Sequence, residues 1–254
     1  MKIVFHEDFY PEYTYDAAAV AGRMESIVDV IRPMADFIEA DPATEAEIRA
    51  VHTEGQIERV KHIGLFPIAA LAAGGAIQAA RIGLKEPAFA LIRPPGHHAS
   101  AGHSWGFCYF NNLAIALVAL YHRKQIQSAL ILDIDLHFGD GTVNILGECD
   151  WVSIHNPSGR SRDVFLNECR SALTGAAVDI IAVSAGFDRH CRDWGGLLET
   201  EDYAAVGGMV AQTARTRGAG CFAVLEGGYN QDVLGYNAAA LVEGLTAGGH
   251  NGSD

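Results

Sequence analysis

Short runs of almost wholly apolar residues recur along this chain of 254 residues, and helical segments lie between them. Strands without a polar face need cover on both sides, and strands that alternate with helices are typical of a parallel sheet. The predicted fold class is therefore α/β, a single-domain three-layer sandwich with a mostly parallel central sheet. Strands are predicted at residues 2–6, 88–93, 128–134, 151–155, 177–184 and 221–226.

The segments between these runs have helical character and recognisable ends. One helix stops before Asp41-Pro42, because a residue that precedes proline is biased away from helical geometry. Thr44, with Glu47 three residues later, has the spacing of a capping box. The chain contains no internal repeat and no linker-like segment, so we expect one domain over residues 1–247 and a flexible tail at 248–254. Helices are predicted at residues 17–39, 67–83, 111–123, 164–173, 200–217 and 232–245.

The charge balance of the chain narrows the classes of partner. With 31 acidic and 18 basic side chains, the formal net charge is −13. Nucleic acid is not an expected partner, since phosphate binding needs a basic face, whereas an acidic surface favours cationic substrates. The five cysteines are scattered without a CxxC pair, which indicates reduced thiols in a cytoplasmic protein. No uninterrupted apolar run of about 18 residues occurs, so no membrane span is expected.

Polar and titratable side chains are concentrated where the predicted strands end. Ligands of open parallel sheets bind beyond the carboxyl ends of the strands, so this edge is the expected position of a functional site. The residues concerned are His97, His98, Asp133, Asp135, His137, His155, Asp188 and Tyr229.

Three of these residues form a candidate metal site. Asp135 and His137 are two positions apart after an apolar strand, so in an extended chain their side chains point to the same side. Asp188 follows another strand and is able to supply a third ligand. Two carboxylates and one imidazole leave a coordination position open for water or substrate, as in catalytic zinc sites. The alternative is that these aspartates cap the helices that follow the strands.

Two adjacent histidines, His97 and His98, follow a Pro-Pro-Gly turn that stiffens the chain after a buried strand. An imidazole that does chemistry with one nitrogen needs a partner that orients the other. Asp133 and Asp140, in the same loop as the first two metal-site residues, are carboxylates that can fill this role.

A tyrosine follows the last predicted strand. Gly227 and Gly228 permit a tight turn that could aim the phenol of Tyr229 inward, where it would hydrogen-bond a developing oxyanion. The alternative is a tyrosine of the core or of the rim.

Five segments carry a family resemblance. They are RPPGHHA at 93–99, GFCYFNNLAIA at 106–116, ILDIDLHFGDGT at 131–142, SAGFDRH at 184–190 and LEGGYN at 225–230. Together they resemble the histone deacetylase / acetylpolyamine amidohydrolase superfamily, in the order of that family and over nearly the whole chain. The resemblance implies the arginase-deacetylase fold, a deacetylase-like catalytic domain, and zinc-dependent hydrolysis of N-acetyl or other N-acyl amines.

The resemblance also implies roles for individual residues. Zn²⁺, with Fe²⁺ as the alternative in vivo, would be held by Asp135, His137 and Asp188. The tandem catalytic histidines would be His97, backed by Asp133, and His98, backed by Asp140, with Tyr229 polarising the substrate carbonyl. Phe107 would form one wall of the substrate channel, beside Gly106, Gly227 and Gly228. A structural K⁺ would be held by Asp133, Asp135, His137, Ser153 and Ile154.

The chain departs from the family pattern in length. Stretches are trimmed between residues 61 and 69 and after His155, where the family has a loop that supplies the second aromatic wall. No residue is assigned to that wall, and Phe165 is a candidate for it. We therefore expect an open rim, or one that another subunit completes.

Two other functions stay open. An arginase-type ureohydrolase would need two manganese ions and a second set of metal carboxylates, whereas this chain has a single DxDxH loop. A trimmed paralogue would bind acyl-amines without turnover. Within the deacetylase interpretation, the expected partner is a small-molecule or peptide acyl-amine, and the residues do not choose between acetylpolyamine and acyl-lysine.

Overall fold

The computed structural model describes residues 1–247, whose strands form one seven-stranded sheet with every strand pair parallel. The strand order is β2-β1-β3-β7-β6-β4-β5. The predicted α/β class is confirmed, and the sheet is parallel throughout. The strands are β1 Lys2–Phe5, β2 Asp36–Glu39, β3 Ala88–Ala90, β4 Ala129–Asp133, β5 Val152–His155, β6 Ile180–Ala185 and β7 Gly220–Leu225.

Helices flank this sheet in two packed groups. The central strands β4, β6 and β7 are almost completely buried, which explains why their sequences lack a polar face. Helix α4 packs on α5 and on the sheet, whereas α8 and α1 pack against α9. The helices are α1 Arg23–Ile31, α2 Glu45–Arg49, α3 Glu54–His62, α4 Phe66–Gly83, α5 Asn112–His122, α6 Asp140–Leu146, α7 Arg162–Leu173, α8 Thr200–Arg217 and α9 Gln231–Ala247.

Helix α4 is the one described helix that is long and apolar enough to cross a membrane, yet 67% of it is buried inside the protein. It lies very close to the chain that follows β2. A Cβ atom at Gly74 would come within 1.9 Å of the backbone oxygen of Asp41, so only glycine permits this approach. Burial and close packing are what a core helix requires.

The prediction of one helix over residues 17–39 was wrong. This segment contains α1, a 3-10 turn at Arg32–Met34 and the strand β2. Pro33 lies in the turn, where its missing N–H and fixed φ interrupt the helix. The strand that follows is short and only half-buried, and among the described residues it pairs with β1 alone. It therefore lacks the apolar run by which the other strands were found.

The other predicted elements are present, with ends that shift by up to three residues. The capping box of Thr44 and Glu47 is formed at the start of α2. Helices α3 and α6 were not predicted; α6 begins in a loop with glycines on both sides of Asp140, which weakens its helical pattern. The domain boundary at residue 247 stays a prediction, and the tail at 248–254 lies outside the described residues.

Candidate active site

The loops after β4 and β6 bring the three predicted metal ligands together. These strands are neighbours, with Asp133 opposite Ser184 in the register, so their carboxyl ends reach the same point of the sheet edge. One ligand atom each of Asp135, His137 and Asp188 lies within 4.8 Å of the others. The Nδ1 atom of His137 is 3.2 Å from Oδ1 of Asp135 and 3.0 Å from Oδ2 of Asp188.

Backbone amides fix both carboxylates and leave one oxygen without a partner. The amide of Gly227 donates to Oδ2 of Asp135 at 2.8 Å, and that of Leu136 donates to Oδ1 of Asp188 at 2.9 Å. The second oxygen of Asp188 is buried and accepts no hydrogen bond among residues 1–247, because Nδ1 of His137, 3.0 Å away, lies outside hydrogen-bonding geometry. Burying a carboxylate oxygen without a partner is costly, so a cation between these three residues would relieve that cost. The donor set therefore fits a divalent metal.

The pKa shifts of the three residues also favour a cation at this position. Burial alone would raise the pKa of Asp135, but the neighbouring charge of His97 and hydrogen bonds from His137 hold it well below the usual range. Burial and the charge of Asp135 raise the pKa of Asp188 to about 6. A hydrogen bond to Asp135 and the neighbouring charge of Asp188 raise the pKa of His137 to about 10. The two carboxylates thus favour a positive charge between them.

The adjacent histidines each bind one carboxylate through Nδ1. The Nδ1 atom of His97 lies 3.1 Å from Oδ2 of Asp133, and that of His98 lies 2.6 Å from Oδ1 of Asp140. Both imidazoles are buried, with ring centroids 4.0 Å apart. Their carboxylate partners therefore fix the orientation of both rings, in the pairing that the family resemblance implied.

The two imidazoles differ in protonation. Burial alone would lower the pKa of His97, but the charges of Asp135 and Asp133 outweigh it and raise that pKa well above its usual value. Burial, aided by the charge of His97, lowers the pKa of His98 to about 4. These shifts favour the charged form of the imidazole at His97 and the neutral form at His98.

Tyr229 lies beside the aromatic ring of Phe107, at a centroid distance of 5.9 Å. Burial raises the pKa of its phenol, so the hydroxyl keeps its proton and can donate a hydrogen bond. The glycines before it are needed, since Gly228 has φ 117° and a Cβ atom at Gly227 would lie 2.6 Å from Oδ2 of Asp135. A Cβ atom at Gly106, where φ is 58°, would lie 2.4 Å from the ring of His98.

Glu226, a buried carboxylate that the sequence did not identify as a site residue, contacts the turn before His97 and His98. Oε2 of Glu226 accepts hydrogen bonds from the amides of Gly96 at 2.7 Å and His97 at 3.1 Å. Burial raises the pKa of Glu226 to about 7. Its signal in the sequence is an acidic residue at the end of an apolar strand, directly before two glycines.

Two exposed tryptophans, Trp105 and Trp194, lie beside the candidate site. The indole of Trp105 packs against the imidazole of His98, with centroids 3.9 Å apart and planes tilted by 32°, and its N–H donates to Asp140 at 2.8 Å. Trp194 stacks on the ring of Tyr229 at 4.0 Å and meets the ring of His137 edge-on at 6.1 Å. An indole from the loop after β6 therefore stands beside the candidate metal position.

Phe165, the candidate for the second channel wall, does not form such a wall. Phe165 is fully buried on α7, where the guanidinium of Arg189 lies 4.8 Å from its ring centroid. It belongs to the core because it lies on the buried side of α7, together with Cys169 and Leu173.

The predicted potassium ligands lie at the end of β4, in the loop that follows it and on the neighbouring strand β5. Oδ1 of Asp133 accepts from the amide of Asp135 at 3.1 Å. Ser153 and Ile154 lie on the edge strand β5, opposite Leu130 and Ile131, and Ser153 is exposed. A role for this set in potassium binding stays a prediction.

A second group of ligand-type side chains does not suit a metal. His190, Cys191 and Glu199 also place ligand atoms within 4.8 Å of one another. However, Nδ1 of His190 accepts from the amide of Arg192 at 3.1 Å, and its Nε2 lies 3.3 Å from the hydroxyl of Thr200. Both ring nitrogens are therefore engaged within the protein.

Comparison with known sequences decides the family. The histone deacetylase domain family matches residues 64–160 and 152–245 of the chain. The chain belongs to the histone deacetylase family. The resemblance seen in the five sequence segments is thereby confirmed.

Curated relatives of this histone deacetylase family member include archaeal and bacterial proteins. The chain is 34% identical to a probable deacetylase of Methanothermobacter thermautotrophicus, over 71% of its own length and 65% of the relative. It is 27% identical to a histone deacetylase-like amidohydrolase of Pseudomonas aeruginosa, over 88% and 74% of the two chains. It is 29% identical to acetylpolyamine amidohydrolase 1 of the same organism, over 62% and 55%. It thus spans between about half and three quarters of these relatives.

The fold of the family is also recognised in a solved structure. The crystal structure of the HDA15 HD domain superposes with a TM-score of 0.81, covering 98% of this chain and 90% of the other at 23% identity. At that identity the likeness establishes the fold.

Proposed function

We propose that this protein is a zinc-dependent amidohydrolase that removes acetyl or other acyl groups from amines. The observation that carries the proposal is the meeting of Asp135, His137 and Asp188 within 4.8 Å, beside two histidines that carboxylates hold in place. Relatives named as deacetylases and as acetylpolyamine amidohydrolases support it.

Two carboxylates and one imidazole match the ligand types of catalytic zinc sites, and Fe²⁺ is the alternative ion. The chemistry that a bound zinc ion supplies is polarisation of the acyl carbonyl and activation of a water molecule, whose pKa falls from 15.7 toward about 7. The protein's own residues then bind, orient and move the protons.

His98 is the proposed general base. It is neutral at pH 7 because burial lowers its pKa, and its bond to Asp140 leaves Nε2 as the proton acceptor. It takes the proton of the attacking water at Nε2 and later gives that proton to the leaving amine. His97, cationic beside Asp133, keeps its proton and stabilises negative charge in the transition state.

Tyr229 is the proposed oxyanion donor. Its phenol stays protonated, and its ring packs between Phe107 and Trp194. One such donor contributes on the order of 3 kcal/mol to transition-state stabilisation.

The test combines metal analysis with an amide hydrolysis assay. Purified protein should retain one transition-metal ion per chain and hydrolyse members of a panel of acetylpolyamines and acyl-lysine peptides of several acyl lengths. Asp188→Asn should lose both properties, whereas Asp150→Asn, a change at an exposed carboxylate away from the site, should keep both. Protein that neither binds a transition metal nor responds to its addition would overturn the proposal.

The ureohydrolase alternative gains no support from the described residues, because the one further group of ligand-type side chains has its histidine fully engaged. The substrate within the acyl-amine class, the oligomeric state and the cytoplasmic location stay predictions. The substrate panel separates acetylpolyamines from acyl-lysine peptides.

A further inference from the structure

The loop that follows the candidate ligand Asp188 also holds the backbone of Tyr229. Oδ2 of Asp193 accepts hydrogen bonds from the amides of Tyr229 and Asn230, both at 2.8 Å. The backbone oxygen of Arg192 accepts from the side-chain amide of Asn230. Three hydrogen bonds therefore join this loop to the two residues that follow the Gly-Gly turn.

The same loop also holds the ring. The indole of Trp194 stacks on the phenol ring at a centroid distance of 4.0 Å and an interplanar angle of 23°. Trp194 is 54% exposed, so this tryptophan is not placed there by the need to fill the core. Adjacent residues thus contact the backbone and the ring of Tyr229 from one side.

Contacts from this loop matter for Tyr229 because the two residues before it are glycines. It follows Gly227 and Gly228, and a glycine pair restricts the direction of the next side chain very little. A hydroxyl that donates to an oxyanion must be held within fractions of an ångström to be effective.

The loop itself is firmly closed on the candidate metal ligand. The amide of Gly195 donates to the backbone oxygen of Asp188 at 2.7 Å, and that of Asp193 donates to the backbone oxygen of His190 at 2.9 Å. A Cβ atom at Gly195 would lie 2.7 Å from Cα of Arg189, so the closure is tight.

We propose that Asp193 and Trp194 are positioning residues that clamp Tyr229 in its orientation beside the candidate metal site. This inference rests on the proposed function, in which the Tyr229 hydroxyl stabilises the oxyanion. Asp193 fixes the start of the segment through two amides, and Trp194 fixes the plane of the ring. The clamp ties the oxyanion donor to the loop that carries Asp188.

A double-mutant cycle tests the clamp. Trp194→Leu removes the stack, and we expect kcat for the best acyl-amine of the panel to fall by about tenfold or more, with KM changed by less than about twofold. Trp194→Phe restores an aromatic face and should recover most of kcat. In a Tyr229→Phe background, Trp194→Leu should change kcat by less than about twofold, because the hydroxyl it positions is already gone.

Trp151→Leu is the matched control. Trp151 stacks on Tyr121 at 4.2 Å, outside the residues placed in the site, and the Leu variant should leave kcat and KM unchanged. Asp193→Ala should repeat the effect of Trp194→Leu, while Asp193→Asn, which keeps an acceptor oxygen, should be milder. The unfolding temperature of each variant shows whether it is folded. If the larger changes unfold the protein, the smaller changes Asp193→Asn and Trp194→Phe still test the clamp.

The outcomes separate the two proposals. If the unchanged protein has no turnover with any acyl-amine, the proposed function fails. If it has turnover but Trp194→Leu leaves kcat unchanged, or lowers it by the same factor with and without the Tyr229 hydroxyl, the clamp is wrong.

Discussion

His97 and His98 are neighbours in the chain, yet their pKa values shift in opposite directions because different carboxylates face them. His97 lies against two buried acids, whereas His98 faces one partly exposed acid and the positive charge of its neighbour. One ring can therefore stay charged while the other accepts a proton, as two roles in acid–base catalysis require.

The Tyr229 hydroxyl should matter for catalysis and little for folding. Tyr229→Phe removes one hydrogen-bond donor to the oxyanion, so kcat should fall by about 100- to 1000-fold while KM changes little. Tyr236→Phe is the control, since this tyrosine is 62% exposed on α9. Steady-state kinetics and thermal unfolding of both variants measure this, and near-normal turnover of Tyr229→Phe would contradict the assignment.

Glu226 should make the stability of the protein fall as pH rises. Burial raises its pKa from 4.5 to about 7, so the folded state holds its proton more tightly than the unfolded state. The stabilisation is complete below pH 4.5 and is lost as pH rises through about 7. Raising the pH from 5 to 8 should therefore lower the free energy of unfolding by about 2–3 kcal/mol through this group.

Glu226→Gln isolates that contribution. Glutamine keeps an oxygen for the amides of Gly96 and His97 but does not titrate. Denaturant unfolding measures the free energy of unfolding of the Gln variant and of the parent at both pH values. The difference, variant minus parent, should be about 2–3 kcal/mol larger at pH 8 than at pH 5. An equal difference at the two pH values would show that the Glu226 carboxyl is not responsible.

At the scale of whole elements, two 18-residue helices contain interior glycines with opposite constraints. Gly74→Ala in α4 would drive a Cβ atom against the backbone oxygen of Asp41, so it should destabilise the protein by about 3 kcal/mol or more. At Gly208 in α8, a Cβ atom meets nothing within 4 Å among the described residues. Gly208→Ala should therefore stabilise by about 0.5–1 kcal/mol, and denaturant unfolding of both variants checks the contrast in sign.

Elements were predictable from the sequence where burial leaves a local pattern. The strands β4, β6 and β7 show as apolar runs because both of their faces are covered. The half-exposed edge strand β2 shows no such run, so the sequence pattern predicted a helix there. Residues two apart on one loop, such as Asp135 and His137, could be paired from spacing alone.

Contacts between distant segments could not be predicted in this way. The stack of Trp194 on Tyr229 and the bonds of Glu226 to the histidine turn join residues that are 35 and about 130 positions apart. Nothing local marks either contact, since both depend on which strand ends are neighbours in the sheet. The order β3-β7-β6 places these loops together, and order is a property of the complete fold.

At the scale of the whole molecule, the proposed metal should connect loops from β4 and β6 and so stabilise the fold. An ion that binds only the folded state adds about 2.7 kcal/mol at a hundredfold excess over its Kd, which corresponds to about 5–10 °C in the unfolding temperature of a chain of this size. Stripping the purified protein with a chelator should lower that temperature by this amount, and added Zn²⁺ should restore it.

Asp188→Asn should unfold at one temperature with or without Zn²⁺, because it removes the buried oxygen that accepts no hydrogen bond. Asp150→Asn should respond to the metal as the parent does. A shift of equal size in both variants would place the stabilising ion elsewhere in the protein.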